Sequence, residues 1–418
     1  MAILHGLFGY FLILIFAWLC GSRSKLIPWR TIFFASITQI GLALLFLQAS
    51  VSRPIFSIAS KCTTLLQETS LKASESLLFG GITSKEFIAN YGPIVAIQLA
   101  SITIFVSSIS RILYHYRILP WLIGTTGRII QRILGISSAE SVGVCANIFL
   151  GMTEAPLLIR PYIEKLTKSE LFCLMTAGMA TIAGAVMVIY ASMLSGIYPE
   201  IAGHLFVASL ISAPASIGIA KLMFPETELP ETSKTKVKLP NRNTQNGLDA
   251  AARGAIEGTT LVINILAVLI AFIGLIALIN HGLGWLDQLI YQGGGKWSLE
   301  LICGQFMQPI VWTMGIPWNE TIIVGQLMGM KTILNEFIAY SELATVMKSS
   351  SPLSQRSFII TTYALCGFAN FGSIAIIIGG IGSIAPKRRG DLSRMGVQSL
   401  IGGTFATMLT GTVVGLFL

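Results

Sequence analysis

The chain has 418 residues, of which 53% are hydrophobic and only 11% charged, and its mean hydropathy is +0.75. Soluble domains carry about 25% charged residues, so the composition argues against a soluble protein and for one polytopic membrane domain. The net charge of +9 does not signal nucleic-acid binding, because the basic residues sit in short loops between apolar runs.

A spanning helix needs roughly 20 mostly apolar residues. Such segments occur at about 7–20, 31–49, 92–113, 171–195, 203–223, 259–280, 358–383 and 395–418. The first, LFGYFLILIFAWLC, has neither a basic stub before it nor a small-residue cleavage site after it, so it reads as a span and not a signal peptide. Residues 51–91 read as an amphipathic helix along the outer interface, and 225–250 as a polar inner linker with three prolines. Basic loops follow the first segment (SRSKLIPWR), the third (RILYHYR onward to Arg132), the fifth (KLMFPETELPETSKTKVKLPNR) and the seventh (KRRGDLSR). Every second loop is therefore basic, which places both termini outside.

Two pieces fit no simple span: 140–165, centred on GMTEAP, and 317–345, GIPWNETIIVGQLMGMKTILNEFIAYSEL with its flanks. Each is too short or too interrupted to cross. Non-helical backbone at membrane depth survives only where protein or water covers it, which points to re-entrant hairpins entering from opposite faces. The order hairpin, span, span then recurs in 140–223 and 317–418 with inverted topology, and paired interrupted segments of this kind mark a transporter's binding site. The expected fold is an all-α polytopic membrane protein of eight transmembrane helices and two opposed re-entrant hairpins.

Glu154 and Glu336 stand out within these pieces, since a carboxylate at mid-membrane costs about 2.5 to 3.5 kcal/mol. Asn147, Thr153, Thr181, Asn335, Asn370 and Ser373 surround them in the sequence. Asn370 and Ser373 are three apart and would share one face of a helix. Structural roles compete: backbone bonding for Thr181 and Ser373, helix-to-helix bonding for Asn370, core filling for Phe368. Ion pairs of Glu336 with Lys331 and of Glu154 with Arg160 compete too, although neither spacing puts the two on one helical face. Two acids among neutral hydrogen-bonding groups suit a neutral, hydroxyl-rich solute. Carbonyls freed at a helix break, with an Asn oxygen and a Thr hydroxyl, suit a hard cation such as sodium.

The six cysteines (Cys20, Cys62, Cys145, Cys173, Cys303, Cys366) form no CxxC pair and the four histidines no HExxH, so neither a disulfide framework nor a zinc site follows. An intramembrane enzyme using Glu154 and Glu336 as acid and base lacks any supporting GxSxG or HExxH motif. A passive channel or sensor is a further alternative. No Walker motif is present to couple ATP.

The stretches NIFLGMTEAPLLIRPYI, MTAGMATIAGAVMVIYASML, GMKTILNEFIAYSEL and ALCGFANFGSIAIIIGGIG, in this order and spacing, resemble the concentrative nucleoside transporter family. The resemblance implies a homotrimer in the bacterial inner membrane that imports nucleosides on a sodium or proton gradient, with no enzymatic step and no cofactor beyond the coupling ion. It divides the protomer into scaffold (1–139 and 224–316) and mobile transport repeats (140–223 and 317–418) that move in an elevator-like way. It assigns Met152, Thr153, Glu154 and Val186 to the nucleobase and Glu336, Asn370 and Ser373 to the ribose, with Gly151 and Phe368 lining the pocket. Sodium would be held by the side chains of Asn147 and Thr181 and the carbonyls of Leu150 and Ile182. Met152 replaces a glutamine common in the family, so the favoured base is open; Thr181 replaces a serine of some members and keeps the hydroxyl.

Overall fold

The computed structural model describes residues 2–22, 26–75, 80, 87, 94–233, 235, 237, 239, 244–291 and 297–418. All regular structure among them is helical. Helices α1 (Ala2–Cys20), α2 (Trp29–Leu47) and α4 (Val95–His115) coincide with the first three apolar segments. Between them lies α3 (Ala49–Ser74), which covers the first part of the expected interfacial helix; residues 76–79, 81–86 and 88–91 of that segment lie outside the described residues.

The stretch after Tyr116, expected as a basic loop, is instead helix α5 (Ile118–Leu134). Its buried residues Leu119, Ile123 and Gly127 recur every four positions, while Arg128 and Arg132 lie off that stripe. Loop-like charge density concealed an amphipathic helix.

A first helix–turn–helix unit follows: α6 (Ser138–Asn147), then two single turns, α7 (Ala155–Leu158) and α8 (Arg160–Ile163), each carrying a proline at its start. The second unit is α14 (Thr321–Ile333) and α15 (Glu336–Lys348), after α12 (Gly247–Tyr291) and α13 (Leu299–Trp312). Asn335 starts α15, its side chain accepting the Ile338 N–H at 3.0 Å, as helix N-caps do.

The fourth and seventh apolar segments, expected as continuous helices, are each two helices. Residues 171–195 divide into α9 (Lys168–Ala180) and α10 (Gly184–Leu194), with Thr181 and Ala183 in extended backbone conformation. Residues 358–383 divide into α16 (Gln355–Leu365) and α17 (Phe371–Ile384), interrupted at Cys366–Asn370. Asn370 and Ser373 therefore do not share a helix face; Asn370 is the N-cap of α17 and accepts the Ser373 N–H at 2.8 Å. Segments α11 (Ile201–Met223) and α18 (Arg389–Gly415) follow the two broken helices.

Seven helical segments among the described residues are long and apolar enough to cross a membrane. The divided fourth segment is among the seven; the remaining expected span is the seventh, whose α17 is a shorter apolar helix. Helix α11 is 89% buried within its apolar window and the sixth span, inside the 45-residue α12, only 11%, so α11 is central and α12 lies at the edge against α4. Helices α9, α11, α16 and α18 pack on one another, and the two breaks meet inside this group. A Cβ on Gly367 would lie 2.6 Å from Thr407 Cγ2, 2.8 Å from the Met179 carbonyl oxygen and 3.0 Å from Ala180 C. Only glycine lets the second break approach the first this closely. Gly367→Ala is expected to cost about 1–3 kcal/mol through overpacking against backbone, read as a lowered unfolding temperature in detergent; an unchanged temperature would show that the breaks can separate freely.

Candidate functional site

Glu336 is the first residue of α15 and is buried. Its Oε1 accepts from Tyr190 Oη of α10 at 2.7 Å, and its Oε2 accepts from Asn370 Nδ2 at 3.0 Å. One carboxylate thus joins the second helix pair, the helix after the first break and the residue closing the second break. Both α15 and α17 begin at this point, and helix N-termini favour negative charge. The desolvation of Glu336 is offset by two charge-assisted bonds and two helix ends. Asn370 uses both ends of its amide: Oδ1 caps α17 and one Nδ2 hydrogen orients the carboxylate, leaving the second N–H to donate elsewhere.

Two tyrosines absent from the sequence reading complete the cluster. Tyr340, one turn beyond Glu336, stacks on Tyr190 with ring centroids 4.5 Å apart and planes at 28°. Its own hydroxyl donates to the Thr362 carbonyl at 2.7 Å. Val186 and Tyr190, both buried, are four apart on α10, a spacing that places them on one face; that was the available signal. Phe368 lies within the second break and is half-buried, while Ser373, in the first turn of α17, is buried.

The residues expected to take a cation also converge. Asn147, the last residue of α6, donates Nδ2 to the Gly143 carbonyl at 3.1 Å. That bond turns Oδ1 the other way, where it is buried without a partner. Opposite it, Oδ1 is 3.7 Å from where a Cβ on Gly178 of α9 would stand, and the break begins one turn later. Thr181 Oγ1 spends its proton on the Ala177 carbonyl at 2.9 Å, leaving its lone pairs to accept. No hydrogen bond among the described residues ends on the carbonyl of Leu150 or Ile182. A buried, unpaired amide oxygen costs about 1–3 kcal/mol, and oxygen donors without a carboxylate suit a monovalent hard cation at an unwound helix. The donor set fits sodium.

The tip of the first unit seats on the first break: Gly184 N–H donates to the Phe149 carbonyl at 3.3 Å, and a Cβ on Gly151 would be 3.8 Å from Ala183 Cβ. Met152 is buried, its Cβ 3.0 Å from the same point on Gly178. Thr153 is exposed and lies against Gly380 of α17. Glu154 is half-buried and precedes α7. It is not joined to the Glu336 cluster by any hydrogen bond among the described residues; it lies within electrostatic range of Arg111, whose guanidinium grips Glu257 at 2.5 and 2.6 Å. The structure therefore brings together Glu336, Asn370 and Tyr190, and separately Asn147, Thr181 and the first tip, with Glu154 beside the second group. Neither expected rival ion pair forms: among the described ion pairs none includes Glu154 or Glu336, and Lys331 binds the Ala364 carbonyl instead.

The far end of α6 is anchored by charge. Lys221 of α11 forms an ion pair with Glu140 at 2.7 Å and donates to Ser169 Oγ at 3.0 Å. Glu170 and Thr167 form a reciprocal cap at the start of α9, and Ser137 bonds Glu170 as well. On the loop before α9, the bond from Lys165 to Glu231 pushes the lysine above its ordinary pKa.

Three family descriptions match the chain: Na+ dependent nucleoside transporter N-terminus over residues 8–82, Nucleoside recognition (the gate) over 96–196, and Na+ dependent nucleoside transporter C-terminus over 204–415. The nucleoside permease NupC of Helicobacter pylori is 35% identical over 99% of this chain and 98% of its own length. Solute carrier family 28 member 3 of Mus musculus is 37% identical over 98% of this chain, which spans 58% of that longer relative. The solved structure of CNTnw in an inward-facing substrate-bound state has a TM-score of 0.92 at 36% identity, covering 100% of this chain and 98% of the other. A doubly substituted CNTnw in an outward-facing state gives a TM-score of 0.91 at 36% identity with the same coverage. The chain belongs to the concentrative nucleoside transporter family, whose members are transporters and not enzymes.

Proposed function

We propose that the protein is a sodium-coupled nucleoside symporter of the bacterial inner membrane, working as a homotrimer with both termini outside. The observation that carries this reading is the pairing of a buried carboxylate, Glu336, with an unsatisfied cation-ready oxygen, Asn147 Oδ1, at two helix breaks that touch. Glu336 takes the ribose hydroxyls, with Asn370 and Ser373 beside it. Thr153, Glu154, Met152 and Val186 take the base, while Gly151 and Phe368 line the space between. Sodium binds Asn147, Thr181 and the Leu150 and Ile182 carbonyls, tying the first tip to the first break and so completing the base side of the site.

Repeats 140–223 and 317–418, including both helix pairs as re-entrant hairpins, form the transport domain; 1–139 and 224–316 form the scaffold. The loaded domain slides past the scaffold as an elevator. The inward- and outward-facing forms of CNTnw, both close to this chain in fold, support alternating access. A membrane potential supplies about 2.3 kcal/mol per charge per 100 mV, enough for roughly fiftyfold accumulation. A channel would never exceed equilibrium, so uridine counterflow in proteoliposomes under an imposed sodium gradient tests the reading. Asn147→Ala is expected to abolish sodium stimulation of that uptake; stimulation that survives the substitution would remove the ion-site assignment.

A further inference from the structure

We propose that Lys331 is a built-in cation which, in the second repeat, fills the position that the coupling sodium takes in the first, so that a single sodium completes the nucleoside site. This rests on the sodium-coupled reading above.

The two halves share an order of elements: a helix pair, a broken helix, a long helix. In the first half, the polar side chain at the end of the pair's leading helix is Asn147, whose buried oxygen faces the break of α9 and α10 and has no partner. In the second half the charged side chain nearest the end of the leading helix is Lys331, two residues before the last residue of α14. Its fully buried Nζ donates to the Ala364 carbonyl at 2.7 Å and to Thr407 Oγ1 of α18 at 2.9 Å. Ala364 is in the last turn of α16, immediately before the break. Thr407 sends its own proton to the Thr404 carbonyl at 3.0 Å, so a lone pair meets the ammonium. The carbonyls at a helix C-terminus lack helical partners and carry the negative end of the dipole. Each break thus presents oxygen acceptors needing positive charge. One half meets that need with an amide that must recruit an ion, the other with a side chain that carries its own.

Lys331 also stands close to the ligand machinery. It is five residues before Glu336, lies within its electrostatic range without touching it, and holds the carbonyl end of the break whose other end, Asn370, orients that carboxylate. It is a positioning residue. A lysine serving only as packing would be indifferent to sodium, which supplies the discriminating readout.

The test compares the full-length protein with Lys331→Gln in proteoliposomes, measuring uridine uptake against sodium with choline as the balancing ion. The unsubstituted protein is expected to show hyperbolic activation by sodium and one charge per uridine from the reversal potential of the coupled current. Lys331→Gln is expected to need about tenfold more sodium and to respond cooperatively, because the vacated position now recruits a second ion. An activation curve identical to that of the parent would overturn the proposal, as would uptake lost at every sodium concentration in a variant that still binds one sodium normally. Two charges per uridine in the parent would overturn it as well, and that measurement decides the matter should the variant not fold. Parent uptake indifferent to sodium would instead remove the symport reading beneath it.

Discussion

Replacing Glu336 by glutamine is expected to leave a folded protein that no longer concentrates uridine. Glutamine has nearly the same shape, and its oxygen can still accept from Asn370 while its amide donates to the Tyr190 hydroxyl, so the cluster of 2.7 and 3.0 Å contacts persists without a buried charge. Stability is therefore expected to hold or rise slightly. Ligand binding behaves oppositely. A hydrogen bond to a charged acceptor contributes about 1.5–3 kcal/mol, and two ribose hydroxyls on one carboxylate bring that to about 3–6 kcal/mol, roughly a hundredfold to ten-thousandfold in affinity. Uptake and thermal unfolding measured on one preparation separate the two effects. Uptake equal to the parent's would end the ribose assignment; an unfolded variant would show that the carboxylate is structural.

The second large effect is expected at the far end of the first repeat. Lys221 and Glu140 are both buried and 2.7 Å apart. Removing one member of a buried pair costs about 3–5 kcal/mol because the other charge is stranded, whereas removing both is often nearly neutral. Lys221→Met strands Glu140 beside Glu170, another carboxylate, and is the more damaging single change. Glu140→Gln leaves Lys221 near Glu226 at 3.5 Å and Ser169, so its penalty is smaller. The double variant is expected to unfold close to the parent. Denaturant unfolding of all four proteins forms a double-mutant cycle. Additive losses would mean that the two groups do not interact, and the anchoring of α6 to α11 would then rest on apolar packing.

Hydropathy alone located the apolar segments, because transfer to lipid depends on a segment's own composition. The two interrupted units also stood out locally, through Gly, Pro, Asn and a carboxylate within a few residues; Glu336 and Asn370 emerged as candidates on their chemistry and do meet. The breaks at 181–183 and 366–370 did not emerge. MTAGMATIAGAVM contains no proline and no charge, and its apolar content is the same whether the helix continues or stops. Helix α5 was hidden for the converse reason, since its arginines outweighed its apolar stripe in a count of charge. Lys331 was legible only as a possible partner for Glu336, five residues away.

What the sequence by itself determined was membrane residence, the alternation of basic loops and the two places where a carboxylate interrupts an apolar run. Those are properties of short windows. Only the tertiary structure decided where the fourth and seventh helices stop, which tyrosine holds Glu336 and which oxygens Lys331 binds. A helix can end inside an apolar core only if its freed polar groups find partners, and here the decisive partners lie 33, 34 and 146 positions apart along the chain. No local pattern encodes bonds of that reach.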